Sequence, residues 1–345
     1  MKKNVIKTDQ QKTVPSHILV HGAGSWGTAL AMQLARVGHR VFLHSWEQAH
    51  NTKMLASDRN HDYFPDIPFP DSLRAVADWK TIVDRCSDIL IAAPSKGFTE
   101  TLLQLQPHLN HQGIIVATKG FCTKNHELVH QVAKEIAPNN NLGVITGPSF
   151  AKEVATGMPT AILVASTAID YAKHVQQLFS SKFFRCYTST DVVGAEVGGA
   201  IKNVLAIACG ISEGLGFGAN AQSALITRGL AELTRLGVRL GGKAETFTGL
   251  SGLGDVILTC SDNQSRNRRF GFLMGQGKTE SEATAIVKQV VEGIPAAQAA
   301  VELARQNEVD MPVVNMIYKI IYKNHPVNTA VEQLLTRHVT SEDRL

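Results

Sequence analysis

The sequence has 345 residues, 44% hydrophobic and 19% charged, with 28 glycines and 12 prolines. At roughly 150 residues per domain that is about two domains, with apolar material for two cores. It excludes a disordered, collagen-like or disulfide-stapled chain. Lys and Arg number 34 against 30 Asp and Glu, a net charge of +4. The signs are interspersed, so no stripe tracks a nucleic-acid backbone. A small anionic substrate suits such a balance.

The first sixteen residues, MKKNVIKTDQQKTVPS, are polar without an apolar centre. They are expected to form a disordered tail, not a signal peptide. From His17 to Tyr187, short β-branched runs alternate with helical patterns. The runs begin at His17, Val41, Ile89, Ile114, Leu142, Thr160 and Phe183. Helical spacing marks Thr28 to Val37, Phe98 to Leu105 and Glu127 to Ile136. Continuous apolar strands alternating with helices predict an α/β fold, a parallel sheet covered on both faces. From Asp191 the strand runs fade. Helical stretches follow at Val197 to Ile211, Ala221 to Leu236, Ser281 to Val290, Ile294 to Gln306 and Met311 to Tyr322. The expected division is a tail over 1–16, a Rossmann-type doubly wound sheet over 17–190 and an all-α domain over 191–345, with a ligand cleft between the two. The longest apolar stretches, such as VLAIACGI from Val204, fall short of the ~20 residues of a membrane span.

Gly22-Ala23-Gly24-Ser25-Trp26-Gly27 matches G-x-G-x-x-G. A strand leads in from His17, TALAMQLARV leads out as a helix, and a second strand starts at Val41. In that context the first glycine allows a tight turn, the second lets backbone approach a pyrophosphate, and the third lets helix pack on strand. The helix N-terminus adds N–H donors and a positive dipole. The pattern points to a dinucleotide, NAD(H) or NADP(H), against the alternative of a bare strand–helix turn. Glu47 lies twenty residues past Gly27, where a carboxylate accepts from the ribose hydroxyls of NAD. His44, Arg40 and His50 are close in sequence and offer charge for a 2′-phosphate instead. Trp46 offers a face to adenine.

Lys202 sits in VGGAIKNVLAIACGI, an almost wholly apolar segment. On a helix, Gly198, Gly199 and Ala206 share its face, and such small neighbours are expected to leave open space over the ammonium. Desolvation would lower its pKa toward proton transfer; the alternative is a lysine snorkelling to the rim of a core helix. Asp255 follows the glycine-rich GLSGLG, expected as a flexible loop. It is placed to orient Lys202 or a substrate hydroxyl, or to cap a helix. In NQSRNRRF, Arg266, Arg268 and Arg269 stand among Ser265, Asn267 and Gln264 with no acidic neutraliser. Guanidinium forks fit a phosphate dianion; a solvated basic turn is the alternative. Lys119 follows a strand at the edge where open α/β sheets bind ligands. Gly147-Pro148-Ser149 follows the next strand. Thirteen histidines show no metal spacing, no G-x-S-x-G elbow is present, and five widely spaced cysteines read as reduced thiols.

Taken together, GAGSWGTALA, PSKGF, ATKG, GPSFAKE, GGAIKNVLAI, GFGANA, TRGLAE, GLGDVILTC, NQSRNRRFG and QVVEG make the chain resemble the bacterial NAD(P)-dependent glycerol-3-phosphate dehydrogenases, from Ile18 to Leu335. The resemblance implies reduction of dihydroxyacetone phosphate to sn-glycerol 3-phosphate, the precursor of glycerophospholipids. It implies that Gly22, Gly24, Ser25, Trp26, Gly27, Trp46, Lys119, Ala151, Arg266, Val290 and Glu292 meet the cofactor. Lys119, Gly147, Ser149, Lys202, Asp255, Ser265, Arg266 and Asn267 meet the substrate. Lys202 would be the proton donor or acceptor, with Lys119 and Asp255 beside it. A small-molecule substrate, a cytoplasmic location and a homodimer belong to this expectation; nucleic acid, metal and membrane do not. Two other readings stay open: a two-domain dehydrogenase of hydroxy or sugar acids, and a non-catalytic dinucleotide sensor.

Overall fold

The computed structural model describes residues 15–122 and 126–336. Nearly all of the expected tail therefore lies outside the described residues. The sheet half comprises β1 (His17–His21), α1 (Ser25–Val37), β2 (Arg40–His44), α2 (Gln48–Ser57), β3 (Leu73–Ala75), β4 (Asp88–Ile91), α3 (Ser95–Leu105), β5 (Gly113–Val116), α4 (Val129–Ile136), β6 (Leu142–Thr146), α5 (Ala151–Thr156), β7 (Thr160–Ala165), α6 (Ile169–Phe179) and β8 (Phe184–Ser189). The strands form one eight-stranded sheet in the order β3-β2-β1-β4-β5-β6-β7-β8. Chain order reverses between β1 and β4, the crevice where doubly wound sheets bind dinucleotides. Residues Ile18, Leu19 and Val20 of β1 and Ile89, Leu90 and Ile91 of β4 are fully buried, as strands covered on both faces must be.

Two features differ from expectation. β3 has only three residues and sits at the edge, too short to show a period. The sheet is not wholly parallel: β7 pairs antiparallel with β6, and β8 runs parallel to β7. The link from β6 to β7 holds only α5, six residues and about 9 Å long. The parallel neighbours β7 and β8 are joined through the longer α6, of eleven residues. α5 packs against α1, and the chain enters β7 in reverse.

The helical half comprises α7 (Val192–Gly214), α8 (Ala219–Arg239), α9 (Ala244–Phe247), α10 (Asp255–Ser261), α11 (Arg266–Gly275), α12 (Glu280–Val287), α13 (Gly293–Gln306), α14 (Pro312–Tyr322) and α15 (Val327–Leu335). α7 is its axis. Its 23 residues contain an 18-residue window of mean hydropathy 1.5, enough by length and composition to cross a membrane, yet 94% of that window is buried within the protein. α8, α10, α11 and α13 surround it. α11 comes closest. A Cβ on Gly210 would overlap the carbonyl of Arg268, and one on Gly271 would overlap the carbonyl of Ile207. Backbone therefore packs on backbone, which fixes the start of α11 beside the middle of α7.

Candidate active site

The loops after β1, β4, β5 and β6 leave one edge of the sheet, since those strands are parallel and in register. The glycine loop fits a dinucleotide. Gly22 has φ +116°, and a Cβ there would stand 2.7 Å from the Ala92 carbonyl carbon at the end of β4. A Cβ on Gly27 would overlap the carbonyl of Gly22, whereas one on Gly24 would have nothing within 4 Å. The first and third glycines are thus needed for packing, and the second leaves backbone open to a ligand. Trp26 and Ser25 open α1. The buried Trp26 Nε1 has no hydrogen-bond partner among the described residues, and the Lys119 ammonium lies 5.4 Å from its ring centroid.

Lys119, on the loop after β5, donates to the Gly147 carbonyl at 3.2 Å and to Asp255 Oδ2 at 3.2 Å. Lys202, from the middle of α7, donates to Asp255 Oδ1 and to Thr259 Oγ1, the latter at 3.0 Å. Asp255 is fully buried and Lys202 is 6% exposed. Burial pulls the Lys202 ammonium down to about 8, against the opposing pull of Asp255 and with help from the charge on Lys119. One carboxylate therefore holds two lysines, one from each half of the molecule. This decides the alternatives for both groups. Lys202 does not snorkel, and the Asp255 carboxylate is turned to the lysines, not to a cap.

The space expected over Lys202 is not open. A Cβ on Gly198 would overlap the Ser251 carbonyl, and one on Gly199 would lie 2.8 Å from Thr146 Oγ1. The glycines admit neighbouring elements. Leu250–Gly254, expected as a flexible loop, forms a π-helical turn that runs straight into α10. Thr259 joins this group with one signal in the sequence, its place one helical turn after Asp255, the spacing that shares a face.

The arginine run divides. Arg268 is buried and forms an ion pair with Glu213 at 2.5 Å and a hydrogen bond to Asn263 Oδ1. It does have an acidic neutraliser, and it holds α11 to the end of α7. Arg269 is exposed. Arg266 is half-buried, with no hydrogen bond or ion pair among the described residues; Glu292 acts on it only at longer range. Ser265 caps α11, its hydroxyl accepting from Arg268 N at 3.2 Å. Asn267 donates to Asn203 Oδ1 at 2.9 Å and accepts from Gly293 N at 2.9 Å. It ties the start of α11 to Lys202's neighbour and to the start of α13. Glu292 accepts from Ser95 Oγ at 2.7 Å and Ser95 N at 3.3 Å, a second bridge between the halves. Burial raises its carboxyl pKa, and the Ser95 donors oppose that.

Ser149 donates to the Gly147 carbonyl at 3.0 Å, and Ala151 opens α5 and packs on the sheet core. Val290 follows the end of α12 and is half exposed. Trp46 follows β2 at the same sheet edge with 77% of its surface exposed. Arg40 does not belong with it. Arg40 pairs with His17 at the start of β2 and His44 with His21 at its end, so about 13 Å of strand separates Arg40 from the ligand edge. Among the described residues no cluster of His, Cys, Asp and Glu could hold a metal ion. All five cysteines are buried and unpaired.

The family model of the NAD-dependent glycerol-3-phosphate dehydrogenase N-terminus matches residues 17–172, and that of the C-terminus matches residues 191–332. The chain belongs to the NAD-dependent glycerol-3-phosphate dehydrogenase family. Glycerol-3-phosphate dehydrogenase [NAD(P)+] of Francisella philomiragia is 54% identical over 328 residues, 94% of this chain and 99% of that one. Its counterpart in Francisella tularensis subsp. novicida is 52% identical, over 95% and 99%. The glycerol-3-phosphate dehydrogenase structure from Coxiella burnetii superimposes with a TM-score of 0.91 at 42% identity, over 94% of this chain and 99% of that one. The yeast enzyme structure gives 0.80 at 27%, over 93% and 99%. A D-mandelate dehydrogenase shares the fold alone, at 11% identity and a TM-score of 0.62. The sheet half is Rossmann-like, and Lys202, Asp255 and Arg266 lie in the helical half.

Proposed function

We propose that the protein reduces dihydroxyacetone phosphate to sn-glycerol 3-phosphate, reversibly, with NADH or NADPH. The observation that carries the reading is the buried Lys202, held by Asp255 and Thr259 at the meeting of the two halves. The backbone at Gly22 to Gly27 and the start of α1 would hold the pyrophosphate, with Trp46 toward the adenosine end and Val290 and Glu292 toward the nicotinamide. Bound there, the dinucleotide supplies or accepts the hydride.

Lys202 protonates the carbonyl oxygen as it becomes the secondary alcohol, and removes that proton in reverse. An amine with a pKa near 8 serves both directions near neutrality. Asp255 fixes the ammonium and offsets the two lysine charges. Lys119 adds a positive charge near the developing alkoxide. Arg266, whose guanidinium has no hydrogen bond or ion pair among the described residues, grips the substrate phosphate, and Asn267, Ser265 and Ser149 border it. The division into residues 17–190 and 191–345 is part of this reading, since it puts the substrate between the halves. So is a homodimer. Five buried, unpaired thiols support work in the reducing cytoplasm, and the product is a precursor for glycerophospholipids.

The test is cofactor absorbance. Purified protein mixed with dihydroxyacetone phosphate should oxidise NADH or NADPH at a rate proportional to enzyme. No oxidation of either would leave a non-catalytic sensor as the better account, and preference for a hydroxy acid lacking phosphate would remove Arg266 from its role.

A further inference from the structure

We infer that Glu47 selects NADH over NADPH at the adenosine end of the site. The inference rests on the dinucleotide reading above and deepens it. In a βαβ unit of this kind, an acidic residue about twenty positions past the glycine motif meets the adenosine ribose, and Glu47 stands there, three residues beyond the end of β2. A carboxylate there accepts from the ribose hydroxyls, whereas a 2′-phosphate calls for a cation.

β2, the loop after it and α2 carry four basic side chains: Arg40, His44, His50 and Lys53. None offers free charge at that place. Arg40 starts β2, at the opposite sheet edge. His44 is buried, its Nδ1 lies 3.1 Å from the Val76 carbonyl, and desolvation lowers its pKa. His50 is buried with both ring nitrogens engaged, Nδ1 with Ser45 Oγ at 3.1 Å and Nε2 with Asn60 Oδ1 at 2.9 Å. Lys53 lies six residues down α2, about 9 Å along its axis from Glu47, and pairs with Asp62 at 3.5 Å.

Glu47 is the counterpart of these spent cations. It is exposed and has no ion pair or hydrogen bond to its carboxylate among the described residues. The loop that carries it is fixed. Asn51 accepts from Ser45 N at 2.7 Å and donates to the Ser45 carbonyl at 2.6 Å, and Glu47 N donates to Ser45 Oγ at 3.3 Å. Beside it, Trp46 presents an uncharged indole. A 2′-phosphate dianion here would meet an unpaired carboxylate and no compensating charge.

Titration calorimetry with NADH and with NADPH tests this without turnover. NADH should bind at least ~10-fold more tightly. Glu47→Gln should narrow the ratio by strengthening NADPH, and Glu47→Arg should reverse it. NADPH binding as tightly as NADH to the wild type, or a ratio unchanged in Glu47→Gln, would overturn the inference while leaving the cofactor reading intact. Failure of both dinucleotides to bind would overturn the cofactor reading and this inference with it.

Discussion

The backbone of Ser251 rests directly on Gly198, so closely that a Cβ on that glycine would overlap the Ser251 carbonyl oxygen. This approach carries the π-helical turn Leu250–Gly254 onto α7 and delivers Asp255, the next residue, to Lys202 one helical turn further along. Gly198→Ala has no flexible side chain to displace. The turn must move, and Asp255 with it. Turnover should fall at least ~10-fold, since small displacements of catalytic groups are costly, with a lower melting temperature. Wild-type turnover would show that the Asp255–Lys202 contact does not depend on this packing.

Removal of the amine itself is the sharper perturbation. Lys202→Ala should cut kcat at least ~100-fold, the usual range for a lost general acid, while NADH affinity by calorimetry stays within a few-fold. A rate near wild type would assign the proton transfer elsewhere.

The Lys202 pKa near 8 predicts opposite profiles for the two directions. Ketone reduction needs the ammonium, so its kcat/KM should fall as pH rises through about 8. Alcohol oxidation needs the free amine and should rise through the same region. The same shift means that the native state binds fewer protons than the unfolded chain between about 8 and the usual 10.5. In that window this group favours folding more as pH rises. Parallel profiles in both directions would contradict the assignment.

Neighbouring arginines should fail differently. Arg266 has no hydrogen bond or ion pair among the described residues, so Arg266→Ala should raise the KM for dihydroxyacetone phosphate by at least ~10-fold with little loss of stability. Arg268 is buried against Glu213. Arg268→Ala leaves Glu213 without its cation, so urea unfolding should show a loss of ~2 kcal/mol or more. Similar effects from both substitutions would undo the division of the run into a ligand arginine and a structural one.

The parts legible in the sequence were those with local signals. The first βαβ unit announced itself by glycine spacing and strand–helix periodicity, and Lys202 by its charge in an apolar helix. What was not legible depended on distant neighbours. Arg268 looked free because Glu213 is fifty-five residues away. The direction of β7 depends on α5 packing against α1, a contact between segments more than a hundred residues apart. The glycines around Lys202 signalled close packing, not space, because their partners lie on the turn at Ser251 and on Thr146. Four residues of extended chain separate Arg40 from His44, a distance already implicit in the sequence.

A crystal structure with sn-glycerol 3-phosphate and NAD bound tests the central claim most directly. It should place Lys202 Nζ within hydrogen-bond distance of the substrate's C2 oxygen and the Arg266 guanidinium on its phosphate. A phosphate bound away from Arg266, or a C2 oxygen held by another group with Lys202 Nζ more than one water away, would contradict it.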